Sequence, residues 1–212
     1  MKINKNEFLE KSGGFLAEIF DVLANLPTIK LNDLNEKETA IVIVDMINGF
    51  VREGALQSPR AETIIPAIES LSKASDKRNI TKLAFADSHT DKSPEFGAYP
   101  IHCVAGTSES EVVDELKKIG GYTLIAKNST NGFHEEKFHK WLQDNQHIKT
   151  FIITGVCTNL CVQQFSLALK TYFNMLNKNV RVIVPVNAVE TYDLDIHDGD
   201  LMNIMALYNM IV

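Results

Sequence analysis

The chain has 212 residues, is 45% apolar and 23% charged, and carries a net charge of −6. That length supports one α/β domain with a sizeable core, and an acidic balance with no cluster of Lys and Arg argues against a nucleic-acid footprint. No stretch approaches the roughly 20 apolar residues a membrane helix needs, and three cysteines form no even disulfide framework. The charged start MKINKNEFLEKSGG does not read as a secretory signal, so a reducing cytoplasm is the expected compartment.

Residues 1–38 read as an N-terminal helical extension. Phe15, Ile19, Val22, Leu23 and Leu26 share one helical face, so part of this segment should pack on the domain. Pro27 and the polar stretch LNDLNEKE form a linker to the domain, residues 39–212. Short runs rich in Ile, Val and Phe then alternate with helix-length segments, the pattern of buried parallel strands. AIVIVD ends in Asp45, and a helix is expected over 61–75 with Ile64, Ile65, Ile68 and Leu71 facing the core. ITKLAFAD ends in Asp87 and is followed by a polar loop of about 20 residues, a length that is usually functional or mobile. Helices are expected near 109–119 and 135–144, flanking YTLIAK, which ends in Lys127. TFIITG opens into VCTNLCV and a helix reaching to about residue 176. VRVIVPV reads as a fifth strand and the tail LYNMIV as a sixth, separated by a helix near 197–205. The expected fold is therefore α/β: a three-layer, doubly wound, Rossmann-like and mostly parallel six-stranded sheet with helices on both faces. Ligands of such sheets bind where the strands' carboxyl ends meet the loops.

Those strand ends carry the chemistry. Cys161 follows Thr158 and Asn159, which are plausible caps, and a helix start lowers a thiol's pKa. Cys157 lies in the turn before it. Both cysteines could instead be small buried hydrophobes; a redox CxxxC pair is a weaker reading, and a structural zinc site weaker still. Asp45 alone could be a cap and Lys127 alone a solvated side chain. Together with a helix-start thiol, however, a carboxylate beside a lysine can take and return the proton that a Cys nucleophile needs. Asp87, His89, Glu95 and His102 fall within sixteen residues. Asp-Ser-His sets two ligand-type side chains at i and i+2, which an extended segment points the same way. Carboxylate and imidazole together suit Zn²⁺, Fe²⁺ or Mn²⁺, and a hydrogen-bonded loop network is the competing reading. His197 and Asp198 read as solvated residues at a helix start.

These residues together resemble the isochorismatase-like cysteine hydrolases, and within them the nicotinamidases. VDMINGF resembles the family's first strand, with Asp45 at its catalytic aspartate, and Lys127 at the end of LIAK matches its catalytic lysine. GVCTNLCV is similar to the pattern G-V-x-T-x-x-C-V, whose second cysteine, here Cys161, is the nucleophile. The resemblance also implies a cis peptide between Val156 and Cys157, and an oxyanion hole formed by the N–H groups of Cys157 and Cys161. DSHTDKSPEFGAYPIHCVAGT resembles the nicotinamidase metal segment. It implies Asp87, His89 and His102 as ligands, Glu95 as an additional carboxylate found in some members, and Phe50, Tyr99 and Val156 at the substrate. Tyr99 stands where a tryptophan is common, and Ser88 replaces a frequent aromatic between the ligands. The implied reaction is hydrolysis of nicotinamide with a bound divalent metal ion (Zn, Fe or Mn). Alternatives are a triad acting on another small amide, such as a carbamoyl or ureido compound, or a non-catalytic binding module. The implied partner is a small-molecule amide, with neither nucleic acid nor membrane, and assembly into a homo-oligomer is left open.

Overall fold

The structure, a computed structural model, describes residues 2–211. After helix α1 (Lys5–Ala24) the chain alternates strands and helices: β1 (Thr39–Val44), α2 (Asn48–Val51), α3 (Pro59–Thr63), α4 (Ile65–Asp76), β2 (Thr81–Asp87), α5 (Asp114–Ile119), β3 (Tyr122–Lys127), α6 (Glu136–Asp144), β4 (Thr150–Val156), α7 (Gln163–Met175), β5 (Arg181–Ile183), β6 (Val189–Glu190) and α8 (Gly199–Ile211). The sheet runs β3-β2-β1-β4-β5, with β6 added beside the end of β4, and every pairing is parallel. Strand order reverses between β1 and β4, so the crevice expected to hold a ligand opens at their carboxyl ends.

Side-chain alternation along the strands builds two cores. Ile41 and Ile43 of β1 and Ile152 of β4 face Ile65, Ile68 and Leu116 on one side. Ala40, Val42 and Val44, with Phe151 and Ile153, face Phe138, Phe165 and Leu169 on the other. Strands buried on both faces are why these segments read as unbroken apolar runs. Helix α6 shows how a polar-looking segment is held: Phe138 and Leu142, one turn apart, bury beneath an otherwise charged helix.

Three expectations about the fold need correction. The tail LYNMIV is not a strand: its described residues form the end of α8, whose half-buried and buried positions Met202, Ala206 and Met210 repeat at helical spacing. The sixth strand is instead the two-residue β6. The N-terminal helix packs on α8, but only one stripe of it does so. Leu16, Ile19 and Leu23 are half-buried, while Phe15, Val22 and Leu26 stay exposed. The helix expected over 61–75 is two helices that meet at Ile64 and Ile65. No helix among the described residues is long and apolar enough to cross a membrane.

Gly155 fixes how closely β1 and β4 approach at the crevice. It has φ +109°, and a Cβ placed there would sit 1.9 Å from the Val44 carbonyl oxygen. Neither the conformation nor the space admits a side chain. Gly155→Ala is expected to cost at least about 3 kcal/mol, read as a lowered urea midpoint with an unchanged slope.

Candidate active site

Asp45 is the first residue after β1. Its backbone turns to φ 51°, a region seldom used outside Gly, Asn and Asp, and its N–H donates to Phe85 O at 3.0 Å. Its Oδ1 accepts from the Asp87 N–H at 3.0 Å, which leaves Oδ2 to face Lys127 Nζ at 2.8 Å. Parallel register sets Asp87 of β2 directly beside Lys127 of β3, and their side chains form an ion pair. Lys127 Nζ also donates to Ser129 O at 3.1 Å and lies 3.7 Å from Cys161 Sγ. One buried ammonium thus joins both carboxylates to the thiol, and an oxygen of each carboxylate lies within 4.8 Å of Cys161 Sγ.

Burial and competing charges set the protonation states here. Burial pushes the Asp45 carboxyl up to about 7, with Asp87 adding to the rise and Lys127 opposing it. Burial alone would pull Lys127 down, but Asp45 and Asp87 hold its ammonium well above the ordinary lysine value. For Asp87, burial is outweighed by Lys127 and His89, and the net shift is downward. Burial drives the Cys161 thiol well above its usual value despite Lys127, and pushes Cys157 up to about 12. The expectation of a thiol acidified by a helix start is therefore corrected. Cys161 sits in a π-helical turn, Thr158–Val162, where burial outweighs the Lys127 ammonium and Asp45 and Asp87 add to the rise. Thr158 and Asn159 do not cap that turn: the Thr158 hydroxyl is buried without a partner, and Asn159 is turned to Thr191 and His197. The Val156–Cys157 peptide is cis.

A second cluster lies beside this one and shares Asp87. His89 is stitched to the returning loop, its N–H donating to Cys103 O and its carbonyl accepting from Ala105 N–H, both at 2.9 Å. That pairing brings His102 against His89, with ring centroids 4.7 Å apart. Ligand atoms of Asp87, His89 and His102 all lie within 4.8 Å of one another. Glu95 Oε2 is 3.7 Å from His89 Nε2, while its Oε1 accepts from Thr130 N–H at 2.9 Å. His102 Nδ1 donates to Pro100 O at 2.8 Å, which leaves Nε2 as the ring nitrogen available to a ligand. His89 Nε2 is buried with no hydrogen-bond partner. A buried, orphaned imidazole nitrogen is costly unless something binds it. Two imidazoles and a carboxylate at this spacing are a donor set that fits a divalent metal ion.

Both clusters open on one cavity of about 330 Å³. Phe50, Tyr99, His102 and Cys161 line it, with Asp87 and Glu95, while Asp45 and Lys127 lie beneath its floor. Val156 does not line it; its side chain points into the core beneath β4. Sequence reasoning missed Phe96, whose ring lies against both histidines at 5.7 and 5.6 Å, and Leu160 and Tyr192 on the cavity wall. Leu160 lies within the thiol motif and could have been inferred from it. His197, expected to be solvated, is half-buried against Tyr192, while Asp198 caps α8 by accepting from Leu201 N–H at 2.8 Å.

The isochorismatase domain model matches residues 39–212. Nicotinamidase 1 of Arabidopsis thaliana is 32% identical over 180 residues, which cover 76% of this chain and 73% of that protein. An isochorismatase-like hydrolase from Alkaliphilus metalliredigens superposes with a TM-score of 0.70 at 26% identity, over 82% of this chain and 91% of that one. The pyrazinamidase of Pyrococcus horikoshii in complex with zinc gives 0.67 at 26% identity, over 82% and 94%. By its sequence over residues 39–212 and by its fold, the chain belongs to the family of isochorismatase-like hydrolases.

Proposed function

We propose that this protein is a metal-assisted cysteine amidohydrolase that converts nicotinamide and water to nicotinate and ammonia. The observation that carries the reading is the joining of two clusters through Asp87 and Lys127 in one small aromatic-walled cavity. A nucleophile site alone would suit many amides. A site with imidazole donors across from the thiol suits an amide whose ring bears a nitrogen lone pair.

Asp87, His89 and His102 would hold the metal, with Glu95 as a further oxygen donor. Bound there, a divalent ion would supply a Lewis-acidic position for a pyridine nitrogen. Phe50 and Tyr99 would flank the ring and bring the carboxamide carbon to Cys161. The thiol proton passes to the Asp45 carboxylate as Sγ attacks. A carboxyl near 7 is matched to both accepting and returning a proton. The developing oxyanion is met by the N–H groups of Cys157 and Cys161. Asp45 then protonates the departing ammonia, leaving a nicotinoyl thioester, and takes a proton from the water that hydrolyses it. That proton returns to Cys161. Lys127 keeps Asp45 in place and balances charge as the thiolate forms.

The test compares nicotinamide with a non-aromatic carbamoyl compound. The proposal expects kcat/KM to favour nicotinamide by at least about 100-fold, and equal use of both substrates would favour the alternative of another small amide. Purified without added metal, the protein should carry about one divalent ion per chain. His89→Ala should lose that ion while keeping its far-ultraviolet circular dichroism, measured with elemental analysis. Full retention of the ion by that variant would remove His89 from the ligand set.

A further inference from the structure

The segment after β6 forms one wall of the cavity, and its construction points to a residue outside the triad and the metal cluster. Tyr192 lines the cavity together with Cys157, Leu160 and Cys161. Its ring lies on the His197 imidazole with centroids 4.0 Å apart and planes within 6°, so one whole face is taken. The wall is closed by a tight hairpin in which Leu194 and His197 exchange backbone hydrogen bonds of 3.1 and 2.8 Å. Arg60 fastens it from outside through Glu190 at 3.1 Å and Asp193 at 3.2 Å.

His197 also reaches the nucleophile's own turn. Its Nδ1 donates to Tyr192 O at 2.9 Å, so Nε2 is the acceptor, and Asn159 Nδ2 lies 2.9 Å from it. The other end of the Asn159 amide is held as well, its Oδ1 accepting from the Thr191 hydroxyl at 2.7 Å. Asn159 stands two residues before Cys161 in the π-helical turn. The imidazole therefore makes three contacts with two structures that must agree in position: the aromatic wall and the thiol.

We propose that His197 is a positioning residue that holds Tyr192 as an aromatic wall in register with Cys161, and that this wall selects flat ring substrates. The inference deepens the proposed function, because it assigns the ring-recognition surface of that same site. Tyr192 would present to the ligand the part of its ring that His197 leaves free. An aromatic surface fixed by stacking and two hydrogen bonds costs little entropy when a ring binds against it. Loss of His197 would free Tyr192 to swing and would weaken the binding of rings more than the chemistry at the thiol.

Two measurements test this. In the first, Tyr192→Ala and His197→Ala are each expected to raise KM for nicotinamide about three- to tenfold with kcat within about twofold. The double variant should be no worse than Tyr192→Ala alone, since His197 acts through Tyr192. Additive losses in the double variant, or a fall in kcat with KM unchanged, would overturn the positioning role. The second measurement does not require turnover: the rate at which N-phenyliodoacetamide alkylates Cys161 is divided by the rate for iodoacetamide, with the site read by fragment mass spectrometry. The wild-type ratio should exceed unity and fall toward it in both single variants. A ratio unchanged by His197→Ala overturns the inference. If the ratio falls as expected but wild-type protein leaves nicotinamide intact, the inference stands and the substrate assignment fails. Thermal unfolding of each variant shows that the fold is retained, and His197→Gln, whose amide can donate to Tyr192 O and accept from Asn159, should restore part of the lost affinity.

Discussion

Cys161→Ala should abolish ammonia release from nicotinamide, with kcat falling by about 10⁴-fold or more, while the metal content stays at its wild-type level. The Sγ atom is the only part of Cys161 within reach of both Lys127 and a cavity occupant, and no described side chain of comparable nucleophilicity shares its relation to Asp45. Cys157 lines the same cavity, but Lys127 lies against Cys161 instead. The proposed metal ligands do not include Cys161, and replacing a small buried thiol by a methyl group should cost about 1 kcal/mol or less of stability. Unchanged metal in an inactive, folded variant therefore separates chemistry from assembly. Ammonia release that survives the substitution would move the nucleophile elsewhere.

Lys127→Met should damage stability and activity together. Lys127 is buried, and its ammonium stands between Asp45 and Asp87. Removing it leaves two buried carboxylates without their cation, a change expected to cost about 3–5 kcal/mol. One of them would take up a proton, and Asp45 could no longer cycle between acceptor and donor. Urea unfolding should show the loss directly, and turnover should fall below detection. Adding Asp45→Asn to Lys127→Met should recover part of the stability, because one of the two uncompensated charges is gone, but none of the turnover. A Lys127→Met protein as stable as wild type would contradict the ion-pair network as drawn.

Much of this site is legible in the sequence because the strands that carry it are buried on both faces. Such strands write themselves as apolar runs, and the first polar residue after each run marks a carboxyl end. Asp45, Asp87 and Lys127 are all found in that way. The adjacency of Asp87 and Lys127 is not, because it depends on β2 and β3 being neighbours in register, and strand order is not written in any local pattern. The candidate metal segment is legible as a cluster, but the pairing of His89 with Cys103 and Ala105 that folds it back is a backbone contact. The tail LYNMIV misleads because α8 is flanked by both α1 and α7. A helix covered on several sides loses its polar stripe, and a six-residue window of it resembles a strand. The true sixth strand, two residues long, lies below what periodicity can register. The acidity expected of Cys161 failed for a different reason. A helix start was legible, but the depth of burial and the two carboxylates beneath the thiol were not. The Tyr192 wall was missed because its partners, His197 and Asn159, come from distant segments that only the tertiary fold brings together.

The most direct test of the central claim is to follow nicotinamide with purified protein by proton NMR, with ammonia assayed in parallel. Nicotinate and ammonia are expected in equal amounts, with release stopped by a chelator and restored by a divalent metal. Metal-loaded, folded protein that leaves nicotinamide intact would contradict it.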